Sequence, residues 1–248
     1  MNEHELAEAA KATWGAPPSS RSAAPDALVG QCLGGKLVIE QRVGAGALGV
    51  VYRARHTHLL APVAVKVLHD VFQADPTFRE RFRAEAQAAS ALDHPSLVRV
   101  LDFGVEPQGT LWLAMELLDG VDLETKIARE GPLTTEHAAA LMLQVCAGLA
   151  HAHARGVVHG DVKPSNVIVV ERPDDDGELA TRAKVCDFGI AHGPLVTGAA
   201  APCAGTPGYM SPEQCLGEVL DARSDVYACG VLLFELVTGS PPFATRIP

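Results

Sequence analysis

The ten residues "VVHGDVKPSN" (157–166) gather a histidine, two ionisable side chains and an amide: His159, Asp161, Lys163 and Asn166. Upstream, "GAGALGVV" sets Gly44, Gly46 and Gly49 in G-x-G-x-x-G-x-V spacing, and Lys66 stands within the apolar run "VAVKVL". Downstream, Asp187 ends the run "AKVCD". Glycines let a backbone approach phosphates closely and adopt φ values that other residues resist. Phosphoryl transfer needs little covalent help; it needs cations and metal-holding carboxylates around an in-line geometry. Two lysines, two carboxylates and an amide at loop and strand-end positions meet that need. The glycine spacing alone fits a hairpin with no ligand equally well. Its strand–loop–strand setting argues against a dinucleotide site, which needs strand–loop–helix.

Lys66 narrows the choice. Val63, Val65 and Val67 alternate with Ala64, Lys66 and Leu68, and an unpaired ammonium on such a strand is costly. The stretch "DPTFRERFRAEAQAASAL" offers a partner. Asp75 is placed to cap a helix and Pro76 to begin it. Phe78, Phe82, Ala89 and Leu92 share one helical stripe with Glu85 at its centre. An acid on an apolar stripe predicts a Lys66–Glu85 pair.

Around these residues the elements follow a simple order. Residues 1–33, rich in Ala, Pro and Ser, read as a mobile leader. "KLVIEQRV", "VVYRARH", "VAVKVLH", "LVRVLDF" and "LWLAMEL" read as strands. The chain then turns helical in "TTEHAAALMLQVCAGLAHAHA" and "SDVYACGVLLFELVTG", the second apolar almost all round and so expected as a buried central helix. "NVIVV" and "AKVCDF" are short strands split by the acidic turn "ERPDDDGELATR".

Composition sets limits. With 248 residues, 48% of them hydrophobic, the chain can bury a real core as one large domain or two lobes. A formal net charge of −10 argues against nucleic acid as the main partner. Six cysteines without any C-x-x-C read as reduced thiols in the cytoplasm. The acidic start is no signal peptide, and no run approaches the roughly 20 apolar residues of a membrane helix. His151 and His153 read as surface or helix-end residues, and Cys186 as a packed, inert thiol rather than a reactive one.

In combination, Gly44/Gly46/Gly49, "VAVK", Glu85, "HGDVKPSN", "DFG" at 187–189 and "GTPGYMSPE" at 205–213 resemble a eukaryotic-type protein kinase domain, close to the bacterial serine/threonine kinases. The resemblance runs from about Gly34 to the end of the chain. It implies an α+β, bilobal fold: a small antiparallel β lobe with one helix over about 34–117, and a mainly helical, incomplete lobe over about 118–248. It implies ATP and Mg2+ as cofactors and protein serine or threonine hydroxyls as acceptors, in a signalling role. Lys66, oriented by Glu85, would hold the α/β-phosphates. Asp161 would be the catalytic base, Lys163 would neutralise the γ-phosphate, and Asn166 with Asp187 would hold the metal. Met115 would be the gatekeeper, Glu116–Leu118 the hinge facing adenine, and Val51, Ala64 and Ile168 the sandwich around its ring. Cys186 would line the back of that site.

Two other readings stay open at this level. Protein kinases usually carry arginine where this chain has Gly160, and H-G-D is how small-molecule phosphotransferases acting on aminoglycosides or choline often write the loop. The segment "GTPGYMSPEQ" and Lys163–Pro164 favour a protein substrate. The other rival is a weakly active or inactive kinase acting as a nucleotide-binding scaffold. Relatives continue for several helices beyond "GSPPFATRIP", so the chain reads as truncated and poorly soluble or weakly active. The arginine that would pair with Glu213 belongs to that later part, which leaves Glu213 expected as a desolvated charge without a partner. Gly160 also removes the cation that would receive an activation-segment phosphate. Of the hydroxyls between Asp187 and Met210 (Thr197, Thr206 and Tyr209), Thr206 would contact Asp161 and Lys163. Activity is therefore expected not to depend on phosphorylation there.

Overall fold

The alternating runs of the first half become a six-stranded antiparallel sheet. Its strands are β1 (Cys32–Leu33), β2 (Leu37–Gly46), β3 (Gly49–His56), β4 (Pro62–Leu68), β5 (Val100–Val105) and β6 (Leu111–Glu116), in spatial order β1-β2-β3-β4-β6-β5. This computed structural model describes residues 26–46, 48–73, 75–173, 179–188 and 205–243. The chain divides into two compact units. One takes in the described residues through Ser90 with Arg99–Asp119; the other takes in Ala91–Val98 and the described residues from Gly120 onward.

In the first unit both faces of β4 are covered, since Val63 to Leu68 are all buried. Val63, Val65 and Val67 join Leu33, Leu37, Ile39, Tyr52, Trp112 and Ala114 in one core. The period-2 alternation of a strand sends Ala64, Lys66 and Leu68 to the other face. Helix α1 (Asp70–Gln73) precedes α2 (Pro76–Ser90), whose start Asp75 caps by accepting the Thr77 N–H at 2.9 Å. The short α1 makes two helices where one was expected. Phe82 of α2 meets Phe103 of β5 edge-on, ring centroids 6.5 Å apart. Leu92 falls beyond the end of α2 and packs in the core of the second unit.

Ordered structure begins before residue 34. Gly30 N–H donates to the Ile39 carbonyl, Ile39 N–H to that of Gln31, and the Tyr52 hydroxyl to Asp26 at 3.0 Å. Leu33, at 1% exposure, is a core residue. The rest of the expected leader, residues 1–25, lies outside the described residues, as do the turn at 174–178, Gly189, Thr197 and Cys203.

The second unit is mainly helical. It holds α3 (Leu123–Glu130), α4 (Thr135–His153), a 3-10 turn (Pro164–Asn166), α5 (Pro212–Cys215) and α6 (Ala222–Thr238), with a small sheet of β7 (Val121–Asp122), β8 (Val167–Pro173) and β9 (Leu179–Val185). The fully buried Asp122 caps α3, accepting the Thr125 N–H and hydroxyl at 2.8 Å each; such a cap is worth about 1 kcal/mol. Leu123, Val145, Leu149, Val167, Val185, Leu232 and Leu236 form the centre of the core, and each buried side chain of this kind stabilises by about 1.5–3 kcal/mol. The sequence predicts α6 to be buried all round. Its described environment buries one side only, leaving Val226 at 66% and Phe234 at 45% exposure.

Candidate active site

Two sets of predicted residues come together, one in each unit. In the first, β3 pairs Val51 with Lys66, and β6 pairs Leu113 with Lys66 and Met115 with Ala64. Val51, Ala64, Lys66 and Met115 therefore lie on one face of the sheet, opposite the Trp112 core. All four are buried, Lys66 at 6% exposure. Gly44 pairs with Val51, and Gly46 pairs with Gly49 across the hairpin. The two hairpin glycines differ in why they are there. A Cβ on Gly49 would stand 2.1 Å from the Val67 carbonyl oxygen, so close strand packing demands it. A Cβ on Gly46 would meet nothing within 4 Å, which leaves open space beside the backbone there.

Glu85 corrects the expected Lys66–Glu85 pair. The carboxylate is buried at 8% exposure, and among the described residues neither of its oxygens accepts a hydrogen bond. The nearest cation is Arg81, one turn back, with Nε 3.8 Å from Oε1; its guanidinium also lies 5.1 Å from the centre of the Phe78 ring. Burial pushes the Glu85 carboxyl up to about 7, and Arg81 offsets only part of this. The apolar stripe of α2 thus buries Glu85 as foreseen but does not bring it to the lysine. At the end of β6, Glu116 is pinned to Arg99: its N–H donates to the Arg99 carbonyl at 3.0 Å and its carboxylate accepts the Arg99 N–H at 2.9 Å. The Glu116 N–H is therefore engaged within the protein, and Leu118 follows half-buried.

In the second unit, residues 159–166 are tied down from several sides. Asp161 Oδ2 lies 2.7 Å from Lys163 Nζ and accepts the Asn166 side-chain amide at 3.2 Å. Its Oδ1 accepts the Thr206 hydroxyl at 2.9 Å and the Thr206 N–H at 3.2 Å. Lys163 also donates to Thr206 Oγ1 at 2.6 Å. Asn166 donates a second time to the Asp161 carbonyl at 2.8 Å, and its own carbonyl accepts the Cys186 N–H at 2.9 Å. That backbone link holds Asn166 next to Asp187. Asp187 takes a positive φ of 62°, rare for a non-glycine residue and a mark of strain held by its surroundings. Ile168, at 1% exposure, sits in β8 opposite Asp122 and Lys184.

Three residues that hold this loop carried no assignment from the sequence. His159, fully buried, donates Nε2–H to the Cys186 carbonyl at 2.8 Å and accepts the Asp161 N–H on Nδ1 at 3.1 Å. Its ring packs 4.7 Å from that of Phe188. Asp225 of α6 accepts the N–H groups of His159 and Gly160 at 2.8 Å each and His153 Nε2 at 2.6 Å. Burial alone would raise the Asp225 carboxyl, but the His153 ring and the two N–H groups more than offset it and hold it below the usual range. Gln214 donates to the Gly160 carbonyl at 2.6 Å. The one signal available in advance was Asp225 at the head of the largely apolar run that became α6. His153 is thus a partner of Asp225 rather than a plain helix-end residue.

Gly160 adopts φ +75°, a left-handed conformation that glycine takes without steric cost. Cys186 is packed at 1% exposure, as expected of an inert thiol. Glu213 differs from expectation. It is half-buried rather than desolvated and accepts the Ser224 hydroxyl, which holds its carboxyl below the usual carboxylate range. The Tyr209 hydroxyl donates to Glu235 of α6, so residues 206–214 are fastened to both the loop and a helix.

The sheet with its glycine hairpin, the loop of Asp161 and the Thr206 segment are the parts of a protein kinase domain. The model of that family matches residues 37–247, and the chain belongs to it. It is 43% identical over 225 residues to the serine/threonine-protein kinase pkn3 of Myxococcus xanthus, a match covering 88% of this chain and 40% of that protein. It is 40% identical over 225 residues to the serine/threonine-protein kinase PknB of Mycolicibacterium smegmatis, covering 88% of this chain and 35% of that protein. The chain thus spans well under half the length of these curated relatives. Among solved structures, the kinase domain of Mycobacterium tuberculosis PknI matches with a TM-score of 0.71 at 31% identity, over 87% of this chain and 79% of that one. No helix among the described residues is long and apolar enough to cross a membrane.

Proposed function

We propose that this chain is a cytoplasmic serine/threonine protein kinase, transferring the γ-phosphoryl group of ATP to protein hydroxyls. We take the catalytic domain to run from about residue 34. The observation that carries the reading is the contact of Thr206 with both Asp161 and Lys163. It ties the segment "GTPGYMSPE", which resembles the surface on which protein kinases lay a peptide, to the proton-accepting carboxylate.

Asp161 is the base, oriented by Lys163 and Asn166. Lys163 supplies positive charge beside it, and Lys66 supplies charge from β4. Gly44, Gly46 and Gly49 shape the hairpin, and open space at Gly46 suits a close phosphate. Val51, Ala64, Met115 and Ile168 offer apolar surface to adenine, and Glu116–Leu118 backbone groups. Asn166 and Asp187 provide an amide oxygen and a carboxylate, a hard donor pair that suits Mg2+ completed by water and phosphate oxygens. Bound Mg2+ would neutralise charge on the phosphates.

The test is transfer of label from γ-labelled ATP to the protein itself or to a basic protein such as a histone, with Asp161→Asn alongside. The expected result is Mg2+-dependent label on serine and threonine, lost by 100-fold or more in Asp161→Asn. Transfer only to an aminoglycoside or choline, or nucleotide binding without turnover, would overturn the proposal.

A further inference from the structure

Gln214 occupies the third helical position of α5 and completes a capping box with Ser211. The Ser211 N–H donates to Gln214 Oε1 at 2.9 Å, and the Gln214 N–H to Ser211 Oγ at 3.4 Å. A glutamate would serve that box equally well. The other half of the Gln214 amide has a different task. Nε2 donates to the Gly160 carbonyl at 2.6 Å, across 54 residues of sequence, and the side chain is buried at 6% exposure. A carboxylate in its place would set an oxygen against a carbonyl oxygen, replacing attraction by repulsion in a site with little water to screen it.

The Gly160 carbonyl belongs to the peptide unit that leads into Asp161. Asp225 holds the other side of Gly160 through its N–H, and His159 Nδ1 accepts the N–H of Asp161 itself. With the Gln214 bond in place, the plane of the 160–161 peptide is fixed at both ends. Gly160 has no side chain to resist rotation, so these backbone bonds help to set where Asp161 points. The same segment reaches Asp161 a second time through Thr206.

We infer that Gln214 is a positioning residue for phosphoryl transfer, aligning Asp161 through the Gly160 carbonyl, and that this position requires an amide rather than an acid. The inference rests on the kinase reading above. Misplacing a catalytic group by a fraction of an ångström is costly in rate, up to about 100-fold for 1 Å.

The discriminating variant is Gln214→Glu in the full chain, which keeps the capping box, with Gln214→Ala as a variant that loses both contacts. Measurements are kcat and KM for ATP from pH 6 to pH 8.5, the thermal midpoint, and amide hydrogen exchange over residues 157–162. We expect Gln214→Glu to keep its KM for ATP, to lose about 10- to 100-fold in kcat at pH 8, to exchange faster over 157–162, and to melt below wild type at pH 8, because the buried carboxylate faces a carbonyl oxygen. The deficit should shrink as pH falls, because a protonated carboxyl regains an O–H donor for the Gly160 carbonyl. Gln214→Ala should lose rate at every pH and also melt lower. Wild-type kcat and unchanged exchange in Gln214→Glu would overturn the inference and leave Gln214 a helix cap. If wild type itself transfers no phosphate, the kinase reading fails, and hydrogen exchange still decides whether Gln214 orders the loop.

Discussion

Replacing Glu85 by glutamine should stabilise the first unit, by an amount that grows as pH rises from 4.5 to about 7. The carboxyl is buried without a hydrogen bond among the described residues, and its ionisation is pushed from the usual 4.5 to about 7. The unfolded chain ionises Glu85 at about 4.5, while the folded unit keeps the proton until about 7. Below 4.5 the group is neutral in both states and carries no penalty. Between those values ionisation favours the unfolded chain, so stability falls as pH rises, and above 7 the penalty is complete. At about 1.4 kcal/mol per pH unit, the full penalty is ~3 kcal/mol. Glu85→Gln removes the titration and keeps a polar group of the same shape. Its gain should be near zero at pH 4.5 and ~3 kcal/mol at pH 8. Urea unfolding read by Trp112 fluorescence suits the measurement, since Trp112 is buried in that unit at 3% exposure. Parallel stability curves for wild type and variant across this range would refute the burial argument; so would a variant less stable at pH 8.

The two hairpin glycines should separate cleanly: Gly49→Ala should cost ~1–3 kcal/mol in the same Trp112 assay, because its Cβ meets backbone, while Gly46→Ala should stay within ~0.5 kcal/mol. Gly160→Ala should lower stability by ~1–2 kcal/mol in calorimetry, since an L-residue must be forced to φ +75°; an unchanged melting profile would show that the loop can turn elsewhere. Asp225→Ala leaves the buried N–H groups of His159 and Gly160 without their acceptor. At ~1–3 kcal/mol each, the loss should reach ~3 kcal/mol or more by denaturant unfolding, and a loss under ~1 kcal/mol would contradict the assigned bonds.

Local pattern carried far in this chain. The alternation of "VAVKVL" placed Lys66 on a buried strand, and Asp75–Pro76 marked the start of α2. What failed was relative position. The helical stripe showed that Glu85 points inward, but nothing local says whether Arg81 or Lys66 stands nearer. Hydropathy made α6 apolar all round, whereas burial depends on what covers each side. Asp225 and Gln214 escaped notice because their partners are backbone groups 65 and 54 residues away in sequence, and main-chain N–H and C=O groups leave no mark in composition.

The hydrogen bonds around Asp161 have a consequence for traffic at that carboxylate. Among the described residues at least four donors address its two oxygens: Lys163 and Asn166 at one, the hydroxyl and N–H of Thr206 at the other. A carboxylate offers about four acceptor directions, so this one is fully subscribed at rest. An arriving alcohol cannot simply dock there; it must evict a resident, most readily one of the two long contacts at 3.2 Å. A stray water faces the same queue with fewer anchoring contacts of its own. On the proposed reading of Asp161 as the base, this occupancy would act as a filter, admitting a hydroxyl whose attached chain contributes binding elsewhere and discouraging solvent from taking the phosphoryl group.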